Sequence, residues 1–140
     1  MSDLNKQAVL QLRHDFMRTF EDMQVLAHKI NVDNGWWEGR ADITATNSRC
    51  EIVDLKPLIA LSLIALQHSE LSEAVEAVRK QPQHAWSDPM TKDTLVRELA
   101  GCIVRCMDMA QGFGLPLNEA IVEELVHNAG RGHRHGGKAA

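Results

Sequence analysis

Apolar residues recur every three or four positions along most of this chain, and that spacing is typical of amphipathic helices. Interruptions of the spacing predict four helices, which cover residues 3–34, 54–80, 91–113 and 117–128. Asp54 and Thr91 suit helix N-caps, and Gly35 and Gly114 suit the left-handed positions that follow helix ends. We therefore expect an all-α four-helix bundle.

Two segments fall outside the predicted helices. Residues 35–53 lack a helical period, and residues 43–46 are too short and isolated to make a sheet, so we predict a long loop after the first helix. Residues 131–140 are basic and rich in glycine and histidine, which predicts an extended tail. A chain of 140 residues holds one core, so residues 1–130 are expected to form a single helical domain.

Composition and charge restrict the partners of the protein. The formal net charge is -4, so the surface has no overall attraction for nucleic acid or for anionic lipid. No apolar stretch is long enough for a membrane span, and the charged N-terminal segment does not resemble a signal peptide. Three cysteines cannot all pair within the chain, which suits a reducing compartment. We expect a cytoplasmic protein with neither a nucleic-acid nor a membrane partner.

The second predicted helix carries two acids in line with its apolar stripe. Glu70 and Glu73 continue the stripe that Ile59, Leu63 and Leu66 begin. Burying an unpaired carboxylate is costly and like charges three residues apart repel, so these acids need a cation. A divalent metal such as Mg²⁺ would satisfy both, because it prefers carboxylate oxygens. The alternative is that both acids lie on the rim of the bundle and point into water.

The third predicted helix offers a further acid beside a glycine. Glu98 lies at the margin of the buried stripe and could face the second helix, whereas Gly101 costs about 1 kcal/mol relative to alanine. Cys102 and Cys106 fit core packing better than a metal site, because no second pair of cysteines or histidines has metal spacing with them. Asp108 lies about 15 Å along the helix axis from Glu98, which is too far to replace a missing ligand there.

Aromatic and basic residues outside these stripes are candidates for ligand binding. Trp36 and Trp37 lie in the polar loop, where an indole packs on the bundle or stacks on a nucleobase, and packing is the favoured interpretation. Towards the C-terminus, Asn128, Arg131 and Lys138 lie among glycines. Positive side chains in such a segment suit phosphate, and a solvated tail is the alternative.

Taken together, these segments resemble the all-α nucleoside triphosphate pyrophosphohydrolases of the MazG-like superfamily. The resemblance lies in GWWE shortly after Asn31, followed by HSELSEAVEA, ELAxxxxRxxDxA, GxxLxEAIxEE and NxxRxxxHGGK. It implies a bundle that forms a homodimer or a dimer of dimers. It also implies hydrolysis of a nucleoside triphosphate, (d)NTP, to (d)NMP and pyrophosphate with Mg²⁺, or with Mn²⁺ in its place.

The resemblance also assigns roles to residues. It implies a metal-binding pair at Glu70 and Glu73, and a second pair that opens at Glu98 and whose aspartate falls on Gly101. Other implied roles are base binding by Trp36 or Trp37 with Asn128, phosphate binding by Arg131 and Lys138, and supporting roles for Glu38 and Asp108.

The missing aspartate leaves two main interpretations. In the first, the three glutamates are both catalytic and metal-binding residues, and water fills the remaining coordination position. In the second, the chain is a catalytically impaired helical dimer that binds nucleotides or a protein partner; Gly101, and Glu124 where the family often has lysine, favour this. A third interpretation, a metal phosphohydrolase based on His14 and Asp15, lacks the other motifs of that class, and both residues are better explained as solvated.

Overall fold

A computed structural model describes residues 2–40, 44–80 and 82–130. Within these residues the elements are α1 (Ser2–Asp33), β1 (Thr44–Thr46), β2 (Ile52–Asp54), α2 (Lys56–Lys80), α3 (Pro89–Gly112) and α4 (Leu117–Gly130). The all-α class and the order of the four helices are confirmed. None of the helices in the described part of the chain has the length and apolar character needed to cross a membrane.

The helix ends lie close to their predicted positions, with one N-cap misplaced. Asp88, not Thr91, caps α3, and its carboxylate accepts a hydrogen bond from the Thr91 backbone N–H at 2.9 Å. Pro89 at the first helical position suits this start, since that position needs no backbone donor. The Asp54 carboxylate accepts from the first backbone N–H of α2 at 2.9 Å. Gly114 ends α3 with a φ of +64°, as predicted.

The segment between α1 and α2 contains a short hairpin, so the prediction of an unpaired loop was wrong. β1 and β2 pair antiparallel, with Ala45 opposite Val53. Hydrogen bonds within the turn explain the pairing: the Asn47 side chain accepts from the Glu51 backbone N–H at 3.0 Å, and the Asn47 backbone N–H donates to the Glu51 carbonyl at 3.0 Å. Cys50 takes a φ of +57°, which helps to reverse the chain. Hydrogen bonds in the turn thus stabilise a hairpin whose strands have only three residues each.

The packing of the helices sets the middle of α2 against the middle of α3. α1 packs against both α3 and α4, whereas among the described helices α2 packs closely against α3 alone. Among the described residues, the buried apolar ones are Ile59, Leu63, Ala74, Ala85, Met107, Ala110 and Val122. Gln67 donates to the Met109 sulfur and Glu70 accepts from Arg105, so α2 and α3 run antiparallel. The acids predicted on these two helices therefore meet at one interface.

Candidate functional site

Glu70 lies between α2 and α3, in the space that Gly101 leaves. Its side chain is only 16% exposed, and its Oε1 atom accepts a hydrogen bond from Arg105 Nε at 2.7 Å. Its Oε2 atom lies so close to Gly101 that a Cβ added there would overlap it. Glycine at this position therefore admits the Glu70 carboxylate to the surface of α3, which is a packing reason for a residue that costs the helix stability.

Glu73 and Glu98 lie near Glu70 and complete a group of three carboxylates. Desolvation, and then the negative charges of Glu73 and Glu70, raise the pKa of the Glu98 carboxyl above its ordinary value. The three acids predicted from the sequence thus lie within electrostatic reach of one another. Glu73 is exposed and Glu98 half-buried, so a position on the rim describes Glu73 but not Glu70.

These carboxylates fit a hard divalent cation by donor chemistry, but they do not surround one. Carboxylate oxygens are the ligands that Mg²⁺ prefers. In the described part of the chain, however, no three His, Cys, Asp or Glu side chains are arranged to hold a metal ion. Arg105 supplies the positive charge that the partly buried Glu70 requires, and it comes from the neighbouring helix, so no pattern within α2 identifies it.

A cavity of about 250 Å³ opens beside Glu70. It is lined by two arginines, Arg40 and Arg105, and by Trp36, whose side chain is 60% exposed. The Arg105 side chain is 41% exposed, and no hydrogen bond from its Nη atoms to a described residue is found. The other lining residues are Asn31, Leu63, Leu66, Gly101, Val104 and Asp108. Guanidinium groups, an exposed indole and apolar side chains together suit an anionic ligand with a planar ring.

The two neighbouring tryptophans have different environments. Trp37 packs on the bundle: its ring lies so close to Gly112 that a Cβ there would overlap ring atoms, and it meets the rings of His28 and Phe113 edge-on. The packing interpretation is therefore confirmed for Trp37. Trp36 is exposed at the cavity instead, so it alone of the pair has a free face for a base.

Asp108 is a buried acid at the floor of the same cavity. Its carboxylate accepts hydrogen bonds from His28 Nδ1 at 2.7 Å, Asn31 Nδ2 at 2.8 Å and Trp37 Nε1 at 2.8 Å. Three donors satisfy the charge, which explains how the side chain remains only 8% exposed. Only a supporting role was expected for Asp108 from the sequence. The signal for its burial was a polar stripe on α1, in which Gln24, His28 and Asn31 recur at helical spacing.

Asn128, from the predicted ligand-binding set, does not line this cavity within one chain. Asn128 is exposed on α4, where its amide donates to Glu124 Oε1 at 2.8 Å. Arg131 and Lys138 lie outside the described residues. Glu38 is exposed and lines a neighbouring cavity of about 400 Å³.

The remaining candidates from the sequence behave as packing or solvated groups. Cys102 and Cys106 are half-buried, and desolvation raises the pKa of the Cys106 thiol, as expected for a cysteine in a core. His14 and Asp15 are 88% and 84% exposed, which agrees with the prediction that they are solvated.

No protein-family model, no curated protein and no solved structure matches this chain. A proposal of function therefore depends on the residues and the geometry of the site.

Proposed function

We propose that the chain is a Mg²⁺-dependent nucleoside triphosphate pyrophosphohydrolase of the MazG-like type, which converts (d)NTP to (d)NMP and pyrophosphate. The observation that carries the proposal is the group formed by Glu70, Glu73 and Glu98, which adjoins a cavity containing two arginines and an exposed indole. Acids that repel one another are costly unless a cation joins them. Because these acids lie beside groups that suit a nucleobase and phosphates, a metal ion that joins them would also lie next to the phosphates of a bound nucleotide.

Each side of the cavity has a role in this proposal. Arg40 and Arg105 bind phosphate oxygens through their guanidinium groups, and Trp36 stacks on the base. Leu63 and Val104 exclude water from the ligand. Asn128, Arg131 and Lys138 remain predicted contacts to the base and the phosphates; in a dimer they would come from a second copy of the chain.

The three glutamates would hold the metal ion. When bound, Mg²⁺ neutralises phosphate charge and lowers the pKa of a bound water. Water attacks the α-phosphorus and loses a proton to the solvent, the bond from that phosphorus to the bridging oxygen breaks, and pyrophosphate leaves. The arginines hold the phosphates in line for this displacement.

We also propose that two copies of the chain form a homodimer. α2 has two apolar faces: one packs against α3, and a roughly opposite one is exposed. The exposed face consists of Leu58, Leu61, Ile64, Leu71 and Val75. A helix that is apolar on both sides is normally covered on both sides. Sedimentation should show a dimer that Leu61→Lys with Val75→Lys converts to monomer, while Ile52→Lys in the hairpin leaves it intact.

Hydrolysis provides the direct test. Purified full-length protein is incubated with millimolar Mg²⁺ and a panel of canonical and modified (d)NTPs, and monophosphate and pyrophosphate are measured by ion-exchange chromatography. Glu73→Gln and Glu98→Gln should each lower the rate by about 10-fold to 100-fold. Glu76→Gln, which changes an exposed acid of α2 paired with Arg79, should leave it unchanged. No turnover of any nucleotide would sink the proposal.

The second candidate is a nucleotide-binding helical dimer without catalysis. The Arg105–Glu70 pair favours it, because Arg105 binds one of the three acids that would otherwise hold the metal. This candidate predicts that a nucleotide raises the melting temperature, and that the rise increases with the logarithm of the nucleotide concentration. No monophosphate should form at any metal concentration. Measuring melting and hydrolysis with the same nucleotides separates the two functions.

A further inference from the structure

The Glu70 carboxylate lies against α3, and one of its oxygens is hydrogen-bonded there. Oε1 accepts from Arg105 Nε at 2.7 Å, and Oε2 lies over Gly101, where a Cβ would overlap it. The donor chemistry of the three glutamates suits a divalent cation, yet this side chain is turned towards a guanidinium. For the three glutamates to bind one cation, the Glu70 carboxylate must turn away from Arg105.

We propose that Arg105 closes the metal site, because its bond to Glu70 keeps that carboxylate from a metal ion. The phosphates of the nucleotide open the site by binding the guanidinium in place of Glu70. This inference rests on the proposed function and adds the order of events: the divalent cation binds tightly only with the nucleotide. Arg105 is a positioning residue towards the metal, because it acts through Glu70.

The geometry of Arg105 allows this exchange. Its side chain is 41% exposed and lines the cavity, while its Nη atoms have no acceptor among the described residues. Because the guanidinium is partly exposed at the cavity, a triphosphate can approach it before the bond to Glu70 breaks. Phosphate oxygens bind a guanidinium in a bidentate manner, and they carry more negative charge than one carboxylate.

Arg105 and the cation compete for the same carboxylate, so their effects are linked. Removing the guanidinium should strengthen binding of the metal alone, and nucleotide binding should produce the same strengthening in the unmodified protein. Linkage makes the effect reciprocal, so the metal should tighten nucleotide binding by the same factor. Coupling of this kind is commonly worth about 5-fold to 150-fold, and we expect about tenfold here.

Mn²⁺ binding to the full-length protein tests the inference without measuring activity. Free Mn²⁺ is followed by electron paramagnetic resonance, first with the metal alone and then with α,β-imido deoxynucleoside triphosphates, which resist cleavage. Binding of Mn²⁺ to the nucleotide without protein is measured and subtracted. The variants are Arg105→Gln and the matched control Arg97→Gln, which changes an exposed arginine of the same helix that pairs with Asp93. Circular dichroism checks that each variant is folded.

The expected result is that Arg105→Gln binds Mn²⁺ alone about tenfold more tightly than the unmodified protein and Arg97→Gln. Adding Glu98→Gln to Arg105→Gln should remove that gain, because the metal then loses a ligand. In the unmodified protein the imido nucleotides should tighten Mn²⁺ binding about tenfold. This last comparison needs no variant, so a failure of the nucleotide to tighten Mn²⁺ binding overturns the inference even if Arg105→Gln does not fold.

Two results overturn the inference in distinguishable ways. If Arg105→Gln binds Mn²⁺ alone no more tightly than the unmodified protein, or if the imido nucleotides do not tighten Mn²⁺ binding to the unmodified protein, Arg105 does not close the site, but the pyrophosphohydrolase proposal stands. If no protein binds Mn²⁺ under any condition, the metal site fails, and the proposed function fails with it.

Discussion

Replacing Gly101 with alanine tests whether the glycine exists to admit the Glu70 carboxylate. Alanine in a helix interior is favoured over glycine by about 1 kcal/mol. The new Cβ would overlap Glu70 Oε2, so the carboxylate must move away from Arg105. A hydrogen bond to a charged group contributes about 1.5–3 kcal/mol, and partial exposure of Arg105 reduces this to about 1–2 kcal/mol. Gly101→Ala should therefore change the free energy of unfolding by less than about 1 kcal/mol.

A double-mutant cycle isolates the clash from the helix propensity. In a Glu70→Ala background nothing opposes the Cβ, so Gly101→Ala should stabilise the protein by the full value of about 1 kcal/mol. The difference between the two backgrounds, about 1–2 kcal/mol, measures the coupling between the glycine and the carboxylate. Urea denaturation followed by circular dichroism at constant protein concentration gives both values. Coupling below about 0.5 kcal/mol would refute the reasoning, since residues that do not interact are additive within that margin.

Four further variants or measurements test other parts of the site. Gly101→Asp displaces the neighbouring glutamate and adds a carboxylate, so it should strengthen Mn²⁺ binding about tenfold; unchanged binding and activity would leave the glycine with a packing role only. Gly112→Ala should destabilise the protein by about 1–2 kcal/mol in urea denaturation, because an indole ring must move; a stabilised variant would contradict this. Asp108→Ala leaves three donors without their acceptor, so it should cost about 3 kcal/mol and shift tryptophan emission to longer wavelength; an unchanged midpoint would count against the network. The raised pKa of Cys106 reduces its thiolate fraction between neutral and mildly alkaline pH, so iodoacetamide should modify the exposed Cys50 first, as peptide mass spectrometry would show; equal rates would contradict the burial of Cys106.

Local features of the sequence were sufficient for the helices and for part of the site. The four helices and the left-handed Gly114 follow from apolar spacing and capping chemistry, which act over a few residues. The same spacing placed Glu70 in line with Ile59 and Leu63 and so identified the acid that meets α3. The hairpin near Asn47 was predicted as a loop, because its strands are short. Side-chain hydrogen bonds within the turn outweigh that shortness.

The sequence by itself therefore determined which segments are helical and which acids continue their apolar stripes, because those properties repeat with the helical period. Only the tertiary structure decided what those acids meet. Arg105 is 35 positions from Glu70, and the donors to Asp108 come from α1 and the segment after it, 71 to 80 positions away. Such partners depend on how the helices pack, and no local period encodes that. The packing of α2 on α3 is also what gives Gly101 its role, since the space it leaves is filled by a side chain from the other helix.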